Sequence, residues 1–317
     1  MMDYAGRVRE ADTYPKLLRL NAKEHGNEIA LREKDLGLWR TFTWNDYQDR
    51  VRDFALGMVE LGLGRGDVIG IIGDNRPDWV AAEIATHAIG AMSLGLYRDV
   101  LDEEAAYLLS YGEAQLVFAE DEEQVDKLLE LGDRIPSVRH IVFHDDRGMR
   151  KYADPRLVPW ADLVALGETY AAEHANAFED AIASGRGEDV AILCTTSGTT
   201  SQPKLAMLQF RPFLSHIASY LRADPRGPQD EYVCLLPLPW IMEQVYCVAM
   251  PLLSRIRVSF PESQETAMAD MREIGPTHLL LAPRVWEQTA ADVRARIMDS
   301  NALTRWMFDR LLKRGLD

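Results

Sequence analysis

The stretch Asp189-Val190-Ala191-Ile192-Leu193-Cys194-Thr195 runs directly into Thr196-Ser197-Gly198-Thr199-Thr200-Ser201-Gln202-Pro203-Lys204. The first part is a short, continuous apolar run, which predicts a buried strand. Ser197, Thr199, Thr200 and Ser201 add their hydroxyls to that of Thr196, and Gly198 leaves the backbone free to turn. Such a loop can wrap N–H groups and hydroxyls around a phosphate. Lys204 supplies the point charge that a polyphosphate needs, and Pro203 restricts the chain just before it. The spacing is not that of a Walker A loop, which requires GxxxxGK[ST]; here Pro203 precedes Lys204 and Leu205 follows it. A flexible Ser/Thr connection between two strands has the same composition, and composition alone leaves both readings open.

Upstream of this stretch, apolar runs alternate with helically spaced segments, the pattern of parallel strands joined by crossover helices. Thr43 and Asp46 form a capping pair for a helix whose apolar face is Trp44, Tyr47, Val51, Phe54, Met58 and Leu61. The glycines at 62, 64 and 66 end that helix; a strand follows them, so they are no dinucleotide fingerprint. Strands are predicted over 68–73, 91–96, 115–119 and 138–143, with helices from Pro77, over 102–111 and over 121–131. Residues 144–160 read as irregular, 161–184 as helix, and Ser184-Gly185-Arg186-Gly187 as a break. The expected fold is a layered α/β domain of mostly parallel sheets with helices on both faces. Binding is expected at the carboxyl ends of the strands, where the Thr196–Lys204 loop emerges.

Composition narrows the function. The chain has 317 residues and a net charge of −15, which argues against phosphate-driven nucleic-acid binding. Cys194, Cys234 and Cys247 form no CxxC pair and no Cys/His cluster, so no metal site and no disulfide framework is expected. A reducing cytoplasm fits these cysteines, and the charged N-terminus shows no apolar signal core. The most apolar long window, 79–97, contains Glu83, His87, Gly90 and Gly95 and does not read as a membrane span. Between Asp99 and Arg134 there are 12 acidic and 2 basic residues, read as a solvated helical face.

The Thr196–Lys204 stretch resembles the phosphate-binding signature of the adenylate-forming superfamily, roughly T-S-G-T-T-G-x-P-K-G. Thr196, Ser197, Gly198, Thr199, Thr200, Pro203 and Lys204 match it. Ser201 and Leu205 replace two glycines, and Phe210 stands where the family often has His. The segment from Phe42 to Ala91 is similar to the opening region of these enzymes. Leu235–Gln244 resembles the L-P-L-x-H-x-x-E region of the long-chain fatty acid–CoA ligase branch, with Trp240 where His is common and Glu243 retained. Thr277–Gln288 resembles its P-R-V-[YW]-E segment.

The resemblance implies activation of a fatty acid by ATP to an acyl-adenylate, then transfer to coenzyme A, with Mg2+ on the polyphosphate. It implies that Thr196, Ser197, Gly198, Thr199, Thr200 and Lys204 grip the phosphates, Lys204 with a catalytic share. Trp240 and Glu243 fall in the region of the acyl pocket; core packing is the alternative for Trp240 and the favoured one for Trp286, and Glu243 is equally suited to holding neighbouring backbone. Residues 1–187 are expected to form a first α/β subdomain. Residues 188–317 are expected to form an incomplete second one, without the small lysine-bearing C-terminal domain. Such a chain resembles an N-terminal fragment, inactive alone. A non-catalytic acyl- or nucleotide-binding protein, one chain of a two-chain enzyme, and a ligase of another acid class all remain open. An unfinished domain predicts self-association. Leu303, Trp306, Met307, Leu311 and Leu312 share one face of a basic amphipathic helix. That helix suits packing on its own fold or on a partner, or peripheral membrane contact.

Overall fold

The strand Val68–Ile72 is buried at every position, as an interior strand covered on both faces must be. It is the centre of the computed structural model, which describes residues 3–196 and 203–316. In chain order the strands are β1 Ile29–Asp35, β2 Leu38–Thr43, β3 Val68–Ile72, β4 Met92–Leu96, β5 Ala114–Ala119, β6 His140–Phe143, β7 Leu157–Pro159, β8 Val190–Thr196, β9 Lys204–Gln209, β10 Glu231–Val233 and β11 Arg257–Phe260. A large sheet has the order β7-β6-β5-β3-β4-β8-β9, parallel except for β9, which runs antiparallel to β8. A smaller sheet has the order β10-β11-β1-β2, with β2 antiparallel at its edge.

The helices form for local reasons. Thr43 Oγ1 accepts from Asp46 N at 3.2 Å and Thr43 N donates to Asp46 Oδ2 at 2.8 Å, a complete capping box for helix Trp44–Glu60. Pro77 opens helix Pro77–Ala88. Helices Asp102–Tyr111 and Glu122–Leu131 fall where their periodicity places them, with Asp121 capping the second. Their apolar sides share a core with β3–β6, while Asp102, Glu103, Glu104, Glu122 and Glu123 stay exposed. Helices Trp44–Glu60, Pro77–Ala88 and Trp160–Glu173 pack as a second layer. Helix Trp44–Glu60 crosses Trp160–Glu173 where Gly57 and Gly167 meet the carbonyls of Leu163 and Asp53.

Several expectations change. The segment 161–184 is two helices, Trp160–Glu173 and Ala177–Ser184, separated at His174-Ala175-Asn176, where the non-helical backbone of His174 (φ −131°, ψ 71°) ends the first. The irregular region contains β7, an edge strand whose Pro159 needs no ladder donor. Helices Tyr4–Glu10 and Tyr14–His25 and the β1–β2 hairpin occupy the N-terminal residues. The hairpin turns at Leu36-Gly37, with φ of 49° and 77°; glycine takes this freely, leucine under strain. The expected division at 187/188 does not separate the sheets. Leu31 of β1 pairs with Val258 of β11, and Ser93 of β4 with Ile192 of β8.

Compactness instead divides the chain into a unit ending at His278 and a second beginning at Leu279. The second contains helices Pro283–Met298 and Ala302–Leu316. Trp286, expected in a core, is exposed, as are Leu303, Trp306, Met307, Leu311 and Leu312. No helix among the described residues is long and apolar enough to cross a membrane.

Candidate active site

A cleft of about 510 Å³ opens where the carboxyl ends of both sheets meet. The chain leaves β3 toward helix Pro77–Ala88 and leaves neighbouring β4 toward helix Asp102–Tyr111, which takes the sequence to β5 on the far side of β3. Adjacent parallel strands whose connections depart in opposite directions create a crevice for ligands. Gly73–Arg76 after β3 and Tyr97–Asp99 after β4 line one wall. Leu235, Pro237 and Pro239 after β10, with residues 261–265 after β11, line the other.

Asn75 joins the walls. Its Nδ2 donates to Leu236 O at 2.7 Å, and its Oδ1 accepts from Leu238 N at 3.0 Å. Gly95 lets the same segment approach: a Cβ there would sit 3.1 Å from Pro239 Cα. The cleft's arginines are already engaged. Arg76 donates to Glu120 at 2.6 Å and to Glu33 of β1 at 3.1 Å, spanning both sheets. Arg98 reaches Asp74, Asp121 and Glu123. Burial and the nearby Glu120 raise the Asp74 pKa. These guanidiniums neutralise the carboxylates around them.

Lys204 lies at the cleft end of the large sheet. The β8–β9 hairpin pairs Thr196 with Lys204, and Thr196 Oγ1 donates to Lys204 O at 3.3 Å. Both residues are exposed. Tyr107 OH donates to Pro203 O at 3.1 Å, fixing the start of β9. Because β8 runs parallel to β4, Thr196 leaves the sheet at the edge where Tyr97 and Arg98 begin the cleft. Ser197, Gly198, Thr199 and Thr200, the rest of the expected phosphate grip, lie outside the described residues. Leu205, in place of a family glycine, packs against the core of the large sheet. Phe210, in place of a family His, is buried edge-on to Tyr14 and His87, each ring 5.1 Å away.

Trp240 is partly exposed, and Glu243 is wholly buried rather than on the cleft wall. Glu243 Oε2 accepts from Tyr232 OH at 2.7 Å, and burial pushes its carboxyl up to about 7. A second buried carboxyl, Glu83, accepts from Ser93 Oγ at 2.9 Å and from Gln244 Nε2 at 3.2 Å; burial raises it also to about 7. His87 donates from Nε2 to Ala191 O at 3.0 Å, and burial holds it neutral by lowering its pKa to about 3. Asn75, Glu83 and Gln244 were not legible as site residues. The one signal was a polar run, Asp74-Asn75-Arg76, at the carboxyl end of a buried strand.

These elements form a layered α/β fold with a cleft at the strand switch point, beside the hairpin that carries Thr196 and Lys204. The chain belongs to the family described as AMP-binding enzyme, whose model matches residues 18–308. It is 27% identical over 304 residues to long-chain-fatty-acid–CoA ligase ACSBG2 of Rattus norvegicus, covering 93% of this chain and 45% of that protein. It is 26% identical to the Xenopus laevis protein of the same name, covering 93% of this chain and 40% of that one. The A-PCP didomain of carboxylic acid reductase from Segniliparus rugosus, solved in complex with AMP, matches with a TM-score of 0.72 at 18% identity. That likeness, one of fold, covers 98% of this chain and 49% of the didomain. The chain thus spans less than half the length of these curated relatives.

Proposed function

We propose that this chain takes part in the ATP-dependent activation of a long-chain fatty acid. A fatty carboxylate attacks the α-phosphorus of ATP, which enters as its Mg2+ complex. Pyrophosphate leaves and an acyl-adenylate forms; coenzyme A then displaces AMP. Most of the barrier to such a step is met by positioning and by stabilising charge on the leaving group. Lys204 is assigned to the pyrophosphate, with Thr196 and residues 197–200 as donors around it. The supporting observation is that the β8–β9 hairpin opens at the same sheet edge as the cleft between the two sheets. The long-chain preference rests on the Leu235–Gln244 and Thr277–Gln288 segments and on relatives named as long-chain ligases.

The test is fatty-acid-dependent ATP–pyrophosphate exchange with Mg2+, run across acids from acetate to palmitate and with aryl acids. Exchange restricted to long chains supports the adenylation step and the chain-length preference. Exchange with an aryl or short acid moves the substrate class. A second reading, acyl or nucleotide binding without turnover, draws on Ser201 and Leu205 and on the paired state of Arg76 and Arg98. Binding of labelled ATP or acid without exchange supports it.

A further inference from the structure

Cys234, Glu243 and Cys247 carry no metal-motif spacing, yet the fold makes them neighbours. Cys234 directly follows β10, its N–H donating to Ser259 O of β11 at 2.9 Å. Glu243 ends the short helix Ile241–Glu243, and Cys247 lies one turn on, inside the π-helical turn Gln244–Ala249. Such turns are rare and recur at functional sites. Residues four apart on a helix share a face, so carboxylate and thiol point the same way. All three side chains are buried, with exposures of 2%, 0% and 1% for the residues.

One ligand atom from each, two Sγ and a carboxylate oxygen, lie within 4.8 Å of one another. Cys247 Sγ stands 3.8 Å from Glu243 Oε1. In a tetrahedral site, metal–sulfur bonds of about 2.3 Å and metal–oxygen bonds of about 2.0–2.2 Å separate ligand atoms by roughly 3.5–3.8 Å. The cluster therefore needs a movement of only about 1 Å to close on an ion. The Tyr232 hydroxyl already donates to Glu243 Oε2, leaving Oε1 for the ion; ligating carboxylates characteristically have such support. Cys234 also forms part of the cleft wall, which provides an entrance.

We propose that Cys234, Glu243 and Cys247 bind one thiophilic divalent cation of the zinc class. Two sulfurs and one oxygen select such an ion over Mg2+ or Ca2+, which prefer all-oxygen shells. Each thiol, and the Glu243 carboxyl where it holds a proton, releases that proton to solvent as its bond to the metal forms. The ion ties Cys234 to Glu243, the two ends of the cleft-wall segment 235–242, and so stiffens that wall. This assignment rests on geometry alone and stands whether or not the chain activates an acid.

The test is titration of the reduced full chain with Cd2+ and Co2+, following sulfur-to-metal charge-transfer absorption, bound metal per chain and the thermal midpoint. The expected result is one ion per chain, a band of two-thiolate intensity, and a midpoint raised by several degrees at saturation. The Cys194→Ala variant keeps the band; Cys234→Ala and Cys247→Ala each lose it and bind at least tenfold more weakly. No band in the wild-type protein overturns the proposal, and so does a band that disappears with Cys194→Ala. Both outcomes can be read even if the buried-cysteine variants do not fold.

Discussion

The Gln244 side-chain amide donates to Glu83 across 3.2 Å, joining two buried residues 161 positions apart in the chain. The same Nε2 donates to Leu238 O at 2.9 Å. One amide thus links the helix after β3 to the segment that walls the cleft. Glu83 is completely buried, with Ser93 and Gln244 as its only hydrogen-bond donors among the described residues. Two neutral donors do not offset the loss of hydration, so the carboxyl is raised from 4.5 to about 7.

A raised carboxyl makes stability fall with pH. Below about pH 4.5 both folded and unfolded chains hold the proton; between there and about pH 7 only the folded chain does. Stability contributed by Glu83 therefore drops across that window and levels off above it, by on the order of 3 kcal/mol in all. Glu83→Gln removes the titration. Its Oε1 can accept from Gln244, and its amide can donate to Ser93 Oγ, which turns its own hydrogen to Ala191 O. Urea midpoints measured from pH 4.5 to 8 should show the variant gaining on the wild type as pH rises. A difference that stays constant with pH would mean that Glu83 does not titrate in this range.

Asn75→Ala strips two hydrogen bonds from the cleft wall at once and leaves Leu238 N without its partner. The cost expected in urea unfolding is about 1–3 kcal/mol. Asn75→Asp keeps the acceptor for Leu238 N but sets a carboxylate against Leu236 O, so it should not restore the wild-type midpoint. Recovery with Asp would show that the Leu236 bond contributes nothing.

The crossing of helices Trp44–Glu60 and Trp160–Glu173 depends on having no side chain at Gly167, where a Cβ would overlap the Asp53 carbonyl. Gly167→Ala must force the helices apart, at a cost of about 1–3 kcal/mol or more. Gly275 makes an informative control, because it sits in the left-handed helical region, at φ 63° and ψ 60°, with open space around it. Alanine there costs only backbone strain, about 1 kcal/mol. Thermal midpoints should rank Gly167→Ala below Gly275→Ala; the reverse order would show that the helix pair absorbs the methyl by sliding.

Lys204→Ala should weaken MgATP binding by about 10- to 100-fold, the range for losing one charge-assisted contact. Calorimetric titration of the wild type and variant provides the measurement. Lys204 is exposed at the start of β9, so its loss should leave the unfolding midpoint nearly unchanged. Equal affinities would remove Lys204 from the phosphate site.

Much of this molecule is local and was readable as such. Thr43 and Asp46 announce a helix start because a capping box needs only four consecutive residues. The runs at Val68–Ile72 and Ala114–Ala119 declare buried strands because both their faces are apolar. The strand ending at Thr196 was legible as an apolar run giving way to a Ser/Thr-rich connection, while composition left the use of that connection open. Pattern shows which face of an element is apolar, but not what covers it. The three-residue β7, ending in Pro159, is too short to show a period. Trp286 and the apolar face of Ala302–Leu316 read as packing surfaces, yet they are exposed. Only the tertiary structure set β1 beside β11, placed Asn75 against Leu236 and Leu238, paired Glu83 with Gln244, and gathered Cys234, Glu243 and Cys247. The β1–β11, Asn75 and Glu83 contacts span more than 150 residues, and the cysteine–glutamate cluster closes around a folded-back loop. Contacts of both kinds follow from strand order and sheet register, which side-chain periodicity along one segment does not encode.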